Sequence, residues 1–240
     1  MKTKALLLSV LLITSISCAQ SWKKVSGNGN MKTETRTTSY YEGISCAGSF
    51  DYILVSGTEG KITIEGEENL LEHIITEVKN GKLVVKTKNG INLKTSMGKS
   101  IKITIPFKDI NSVSLSGSGD LWSEDTVSST NLEVNLAGSG DMRLDIQATS
   151  VESNIAGSGD IKLSGRTTNL EASIAGSGDF EAFSLQSDNT EVSIAGSGDA
   201  QVVSNKTIKG RVSGSGDIAY KGNPEKEDTK VSGSGTIKGK

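Results

Sequence analysis

Down the second half of the chain, apolar and polar residues alternate in short runs. Leu132, Val134 and Leu136 alternate with polar neighbours, as do Val151 and Ile155, Leu170, Ala172 and Ile174, Val192 and Ile194, and Ile208 and Val212. A two-residue period is the pattern of a half-buried strand. The runs are broken by one tetrapeptide, Gly-Ser-Gly-Asp, which begins at Gly117, Gly138, Gly157, Gly176, Gly196 and Gly214, and a last copy at Gly233 ends in Thr236. Beyond each aspartate the alternation resumes, as in Met142 and Leu144, Ile161 and Leu163, Phe180 and Ala182, and Ile218 and Tyr220. The tetrapeptide is therefore a corner between two strands, and its glycines supply backbone angles that a Cβ forbids.

The corners start 21, 19, 19, 20, 18 and 19 residues apart. A nearly fixed period is the mark of a repeat architecture, in which each unit is one supersecondary element stacked on the next. A meander of hairpins needs two turns per unit, and glycine marks only one. The pattern predicts an all-β coil with rungs of about 19 residues, in which equivalent residues form columns about 4.8 Å apart. A flexible linker would lack the flanking alternation, and a phosphate loop would need a strand-to-helix context and a lysine.

The first half follows the same plan less regularly. Residues 20–39 are polar and read as an N-terminal tether or loosely packed first strand. Gly48-Ser49-Phe50-Asp51 is a degenerate corner, with Phe50 at the second glycine position, and the strand Tyr52–Val55 follows it. Lys61–Glu65 reads as a strand and Asn69–His73 as a helical turn. Glu77–Thr87 reads as two strands joined at Asn80-Gly81, a strong hairpin signal. Ile101–Ile105 is a further strand, ended by Pro106. An open coil exposes unpaired edges, and 221–240, with Pro224 and a charged turn, reads as a degenerate capping rung.

Composition fits narrow stacked strands with many corners: 28 glycines, two prolines and few aromatics. The net charge of −2 is unevenly placed. From Ser112 to Tyr220 there are fifteen acidic and six basic side chains, against ten acidic and thirteen basic from Gln20 to Asn111. The acidic repeat argues against a nucleic-acid partner, which needs a basic stripe, and leaves cations, glycans or proteins. Lys2 and Lys4 precede the apolar run Ala5–Ile13, too short to span a bilayer and suited to a signal peptide over 1–19. Ser17-Cys18-Ala19 fits cleavage before Gln20, while Ile16-Ser17-Cys18 fits a relaxed lipoprotein box that would make Cys18 the lipidated first residue. Membrane attachment, if any, would run through that anchor. Cys46 is then alone and expected as a buried small hydrophobe.

If the corners stack, Asp120, Asp141, Asp160, Asp179, Asp199 and Asp217 form one column. Neighbouring carboxylates about 4.8 Å apart repel by about 0.9 kcal/mol in water and about 3.5 kcal/mol at an effective dielectric of 20. Two arrangements could offset this. Each side chain could accept hydrogen bonds from its own turn or from the adjoining serine column. The column could instead hold calcium, the one cofactor the sequence brings into question, although calcium needs six to eight oxygens per ion. No catalytic set is visible: His73 is the only histidine and has no partner at a recognisable spacing.

The Gly-Ser-Phe-Asp near residue 50, the Lys82-Leu83-Val84-Val85 strand after a Lys-Asn-Gly turn, and the repeated Gly-Ser-Gly corners resemble the head GIN domain of autotransporter adhesins. The resemblance covers 40–220. It implies a right-handed parallel β-helix, a pectin-lyase-like solenoid, in an exported or lipid-anchored protein of Gram-negative Bacteroidetes, without recognised catalytic residues. The expected function is non-enzymatic: an exported periplasmic or surface module whose Gly-Ser-Gly-Asp face binds a glycan or an envelope protein. The alternatives are a polysaccharide lyase or hydrolase on the same scaffold, drawing on Lys162, Arg166, Lys209 and Arg211, and a calcium-stabilised structural element of the envelope.

Overall fold

A computed structural model describes residues 22–240. The signal peptide expected over 1–19, with the candidate lipidation residue Cys18, lies outside the described residues. The irregular first part holds β1 (Lys23–Ser26), β2 (Met31–Thr37), β3 (Gly43–Gly48), β4 (Asp51–Ser56), β5 (Lys61–Glu67), the helical turn α1 (Glu68–Leu71), β6 (Ile74–Lys79), β7 (Lys82–Thr87), β8 (Ile91–Lys94) and β9 (Lys102–Phe107). The repetitive part holds β10 (Ser112–Gly117), β11 (Leu121–Ser123), β12 (Val127–Gly138), β13 (Met142–Gly157), β14 (Ile161–Gly176), β15 (Phe180–Gln186), β16 (Asn189–Gly196), β17 (Ala200–Val203), β18 (Thr207–Gly214), β19 (Ile218–Lys221), β20 (Lys226–Gly233) and β21 (Ile237–Gly239).

The chain winds into a β-solenoid of about 7 turns, with parallel bridges about 19 residues apart. Each corner separates two walls. The first wall is made by the residues before the corner and the second by those after it. In the first, Val134 pairs with Ser153, Ser153 with Ala172, Ala172 with Val192, and Val192 with Gly210. The inward columns Leu136, Ile155, Ile174 and Ile194 of the first wall, and Met142, Ile161 and Phe180 of the second, are buried in one continuous core. Departures from 19 are absorbed outside the corners. The 20-residue step is a bulge in the pairing of β14 with β15, where the register shifts between Lys162 and Ser164. The 21-residue step lengthens the Glu124–Thr126 turn between β11 and β12.

Glycine is required at both corner positions, since a Cβ at either would meet a carbonyl oxygen of the rung before. The first glycine has φ between +118° and +143° from Gly117 to Gly214, which disfavours any side chain. At the second, a Cβ on Gly140 or Gly159 would be driven into the carbonyl oxygen of Gly119 or Gly140 in the rung before. The Ser139 and Gly140 amides both donate to Gly117 O, at 2.9 and 3.1 Å, and the same pair of bonds recurs up the stack.

Stacking order departs from chain order in the first half. Strand β3 pairs with β10 on one side and β7 on the other, and β4 pairs with β11 and β9. The rung at 43–56 is thus sandwiched between 112–123 and strands that follow it in sequence. Its degenerate corner lies directly in the column, since a Cβ on Gly117 would meet Gly48 O and one on Gly119 would meet Phe50 O. Phe50 is tolerated because no corner lies beneath it: the chain leaves β7 for β8 there, and the ring turns into the core, 1% exposed.

The N-terminal end is closed by antiparallel strands, β2 on β5, β5 on β9, and β6 on β7. Asn80 and Gly81, with φ of 50° and 74°, make the two left-handed residues of the β6–β7 turn, as a two-residue hairpin demands. Within the polar stretch 20–39, expected as a tether or a loosely packed first strand, the described residues hold β1 and β2. An edge strand with one solvated face needs backbone pairing and β-branched residues more than apolar ones, which Thr33, Thr35 and Thr37 supply. Arg36 fastens β2 by donating to Ile74 O and Leu71 O at 2.6 and 2.7 Å. At the other end β20 and β21 lay one further parallel rung over β18 and β19.

One buried carboxylate ties the N-terminal strands down. Glu67 accepts bonds from the Ser96 hydroxyl at 2.6 Å, the Ser96 amide at 2.8 Å and the Gly29 amide at 2.5 Å. These bonds, led by the Ser96 hydroxyl, hold its pKa below the ordinary 4.5. A depressed carboxylate contributes stability that is present at neutral pH and lost as pH falls through the folded-state pKa. Hydrogen exchange at the Gly29 and Ser96 amides should therefore accelerate beyond the intrinsic rate change when pH falls below 4.5, while Leu163 stays protected. Equal protection at all three sites would count against this clip.

Candidate functional site

The six expected aspartates stack in one column, with a partner the sequence did not indicate. Each Oδ1 accepts the backbone amide of the aspartate one rung later: Asp160 N–H to Asp141 at 3.1 Å, Asp179 to Asp160, Asp199 to Asp179 and Asp217 to Asp199 at 2.8 Å. The column starts with the Asp141 amide on Asp120 at 3.2 Å. It ends with Thr236, whose amide and hydroxyl both donate to Asp217 Oδ1, at 2.7 and 2.9 Å. The expected bonds to the same turn or to the serine column are replaced by this inter-rung ladder. The side chains are exposed or half-buried, so repulsion stays near the aqueous value of about 1 kcal/mol. A charge-assisted hydrogen bond of about 1.5–3 kcal/mol offsets it. Among the described residues no group of three or more His, Cys, Asp or Glu side chains is placed to hold a metal ion. The glycines and aspartates of the corner thus each have an architectural role.

The outward face of the first wall carries the chemistry left over. Its register stacks Glu133, Glu152, Glu171 and Glu191 in one row, continued by Lys209. Alongside, at the bend before this wall, runs a ladder of Ser150, Asn169, Asn189 and Thr207. Asn169 Nδ2 donates to Ser150 Oγ at 3.3 Å, Asn189 Nδ2 to Asn169 Oδ1 at 3.0 Å, and Thr207 Oγ1 to Asn189 Oδ1 at 2.9 Å. The two rows line a trench of about 1000 Å³. On the other side of the glutamates, Asn135 donates to Glu133 at 2.7 Å and Asn154 to Glu152 at 3.2 Å. Next to that row, Ala137, Ala156, Ala175 and Ala195 form a strip of methyl groups along a smaller trough of about 700 Å³. Parallel rows of amide, carboxylate and methyl groups, repeated at each rung, can contact a linear ligand with a matching repeat.

Of the residues that a lyase would draw on, Lys162 and Arg166 lie apart from the others, while Lys209 lines the glutamate trench and Arg211 the neighbouring trough. Lys162 lies on the second wall and pairs with Glu181 at 2.8 Å. Lys209 and Arg211 lie on the first wall, paired with Glu191 and Asp228 at 2.5 Å each. Arg166 lines a separate hollow beside Gln186 and Asn205. His73 sits far from these, its ring within 3.8 Å of Glu72. Cys46 is buried in the core, where burial pushes its thiol pKa up. The trench rows were not singled out in the sequence, although a signal was present. Glu-x-Asn or Glu-x-Ser recurs with its glutamate four residues ahead of the alanine of Ala-Gly-Ser-Gly, at Glu133, Glu152, Glu171 and Glu191.

Residues 40–224 match the family described as the head GIN domain of a putative auto-transporter adhesin. The chain belongs to the head GIN domain family. A comparison of the GIN domain protein with curated protein sequences gives no match. Among solved structures, it superposes on a putative adhesin from Bacteroides fragilis with a TM-score of 0.81 and 24% identity, covering 90% of this chain and 100% of the other. It also superposes on a protein described as a putative lipid binding protein from Parabacteroides distasonis, with a TM-score of 0.77 and 28% identity, covering 91% and 100%. A putative adhesin from Parabacteroides merdae gives a TM-score of 0.71 at 24% identity, with 91% and 99% covered. The GIN fold therefore accounts for nearly the whole described chain.

Proposed function

We propose that this GIN domain protein is a non-enzymatic, exported cell-envelope module that binds a linear glycan along the outward face of its first wall. The carrying observation is the register itself, which sets the Glu133–Glu191 row and the Ser150–Thr207 amide and hydroxyl ladder in a trench with one set of donors and acceptors per rung. Sugar hydroxyls meet carboxylates and amides, and sugar C–H faces meet the neighbouring alanine methyls. Export rests on the signal-peptide pattern of Lys2, Lys4 and the Ala5–Ile13 run, and the adhesin family agrees with it. The proposed recognition face is the wall beside the corners, since the corner glycines and aspartates serve the stack.

A panel of surface polysaccharides screened by glycan array, followed by calorimetry, tests this reading. The double variant Glu152→Ala, Asn169→Ala should weaken the leading ligand by about tenfold or more, a loss of about 1.4 kcal/mol, while Ser158→Ala on the corner leaves it unchanged. Binding that ignores the trench variants would sink the proposal, as would a panel without any ligand. A second reading is favoured by the alanine strip and by the description of the Parabacteroides distasonis neighbour: an acyl chain lying along Ala137–Ala195. Displacement of the glycan by a free fatty acid would point to that occupant.

A further inference from the structure

The N-terminal end of the solenoid differs from the rest in charge and in exposed apolar side chains. From Val78 to Lys108 the chain carries eight lysines and no carboxylate. Strand β8 lies in this segment and pairs in parallel with β1, so the exposed Lys23 and Lys24 lie on the same two-stranded ribbon, one on each face. Trp22, at the start of this ribbon, is 58% exposed, and Met97, in the loop after β8, is fully exposed. Trp22, Lys86, Lys88, Ile91 and Leu93 line one groove of about 570 Å³. Of the eight lysines, Lys79 pairs with Glu77 at 2.7 Å and Lys108 lies 3.9 Å from Asp109, while Glu67 is held beneath Gly29 and Ser96, and Glu68 by Lys32 at 3.5 Å. Lys86 and Lys88 have no ion pair among the described residues.

We propose that this end of the molecule is a docking surface for a bilayer rich in anionic phospholipid, with Lys86, Lys88 and a β1 lysine on the phosphates and with Trp22 and Met97 at the acyl boundary. Charge complementarity selects an anionic partner, and each surface lysine contributes roughly fivefold in affinity to such a membrane. The apolar side chains select a bilayer over a soluble polyanion, because an exposed tryptophan and methionine gain from the headgroup and acyl boundary. A single tryptophan is no stacking platform for single-stranded nucleic acid. Chain continuity points the same way. On the lipoprotein-box reading the lipidated residue is Cys18, four residues before Trp22, a reach of at most about 14 Å. The repeat, with nine more acidic than basic side chains from Ser112 to Tyr220, is repelled by the same membrane. Docking therefore turns the basic end down and holds the trench away from the lipid. This inference is independent of what the trench binds.

Flotation with lipid vesicles tests it. The exported protein carrying Cys18→Ser, so that no acyl chain contributes, is mixed with phosphatidylcholine vesicles and with vesicles also containing phosphatidylglycerol. It should float with the anionic vesicles, remain behind with the zwitterionic ones, and be released by raised salt. The variant Lys86→Gln, Lys88→Gln should weaken flotation roughly thirtyfold, and Trp22→Ala with Met97→Ala should weaken it as well. Lys162→Gln on the second wall should leave it unchanged, and circular dichroism should show all variants folded. Equal partition to both vesicles overturns the proposal, as does binding that survives loss of both lysines. Tighter binding of heparin than of anionic vesicles through Lys86 and Lys88 would also overturn it, in favour of an acidic polysaccharide.

Discussion

Gly159→Ala is expected to lower the unfolding free energy by about 3 kcal/mol. The Cβ would be driven into the Gly140 carbonyl oxygen, backbone against backbone. No flexible side chain can move aside, so the rungs must separate locally. Separation stretches the bonds from Ser158 and Gly159 to Gly138 O, now 2.8 and 3.1 Å. For a chain of this size the loss corresponds to a fall in melting temperature of roughly 6–12 °C. Ser158→Ala, one residue away and exposed, should stay within about 0.5 kcal/mol of the parent. Urea unfolding followed by far-ultraviolet circular dichroism measures both. A change below about 1 kcal/mol at Gly159 would mean that the corners do not stack in contact.

The second large effect is expected in the aspartate column. Asp160→Ala removes the acceptor of the Asp179 amide and should cost about 1–2 kcal/mol. Asp160→Asn keeps an Oδ1 at the same place and removes repulsion with Asp141 and Asp179. It should therefore be neutral or stabilising by up to about 1 kcal/mol. The ordering of the two variants is the informative result. An asparagine as damaging as the alanine would show that the negative charge itself is needed, as a bound cation would require. Melting in calcium and in chelator would then give different midpoints.

These predictions use features that differ in how far they could be read from the chain. The corner motif identifies the rung, the two walls and the register, because every rung approaches its neighbour closely enough to require glycine at two positions. A steric requirement repeated at each turn leaves a periodic record in the residues. The same record carries the trench rows, since Glu133, Glu152, Glu171 and Glu191 hold a constant offset from the corners. They were passed over because a polar outward residue looks the same in sequence whether or not it lines a groove.

What only the tertiary structure decided lies where periodicity stops. The placement of 43–56 between 112–123 and the strands β7 and β9 depends on non-local pairing across intervening chain, which no local pattern encodes. Phe50 stands in the degenerate corner that opens the column, free to carry a ring because no further corner lies beneath it. The partner of each aspartate is an amide one rung away, fixed by the height of the stack. Glu67 becomes a clip only once Gly29 and Ser96, distant in sequence, fold over it. The sequence by itself determined the repeating unit, through contacts each rung makes with the next. The order of the first rungs, their closure and the faces left open were settled by how the chain returns on itself.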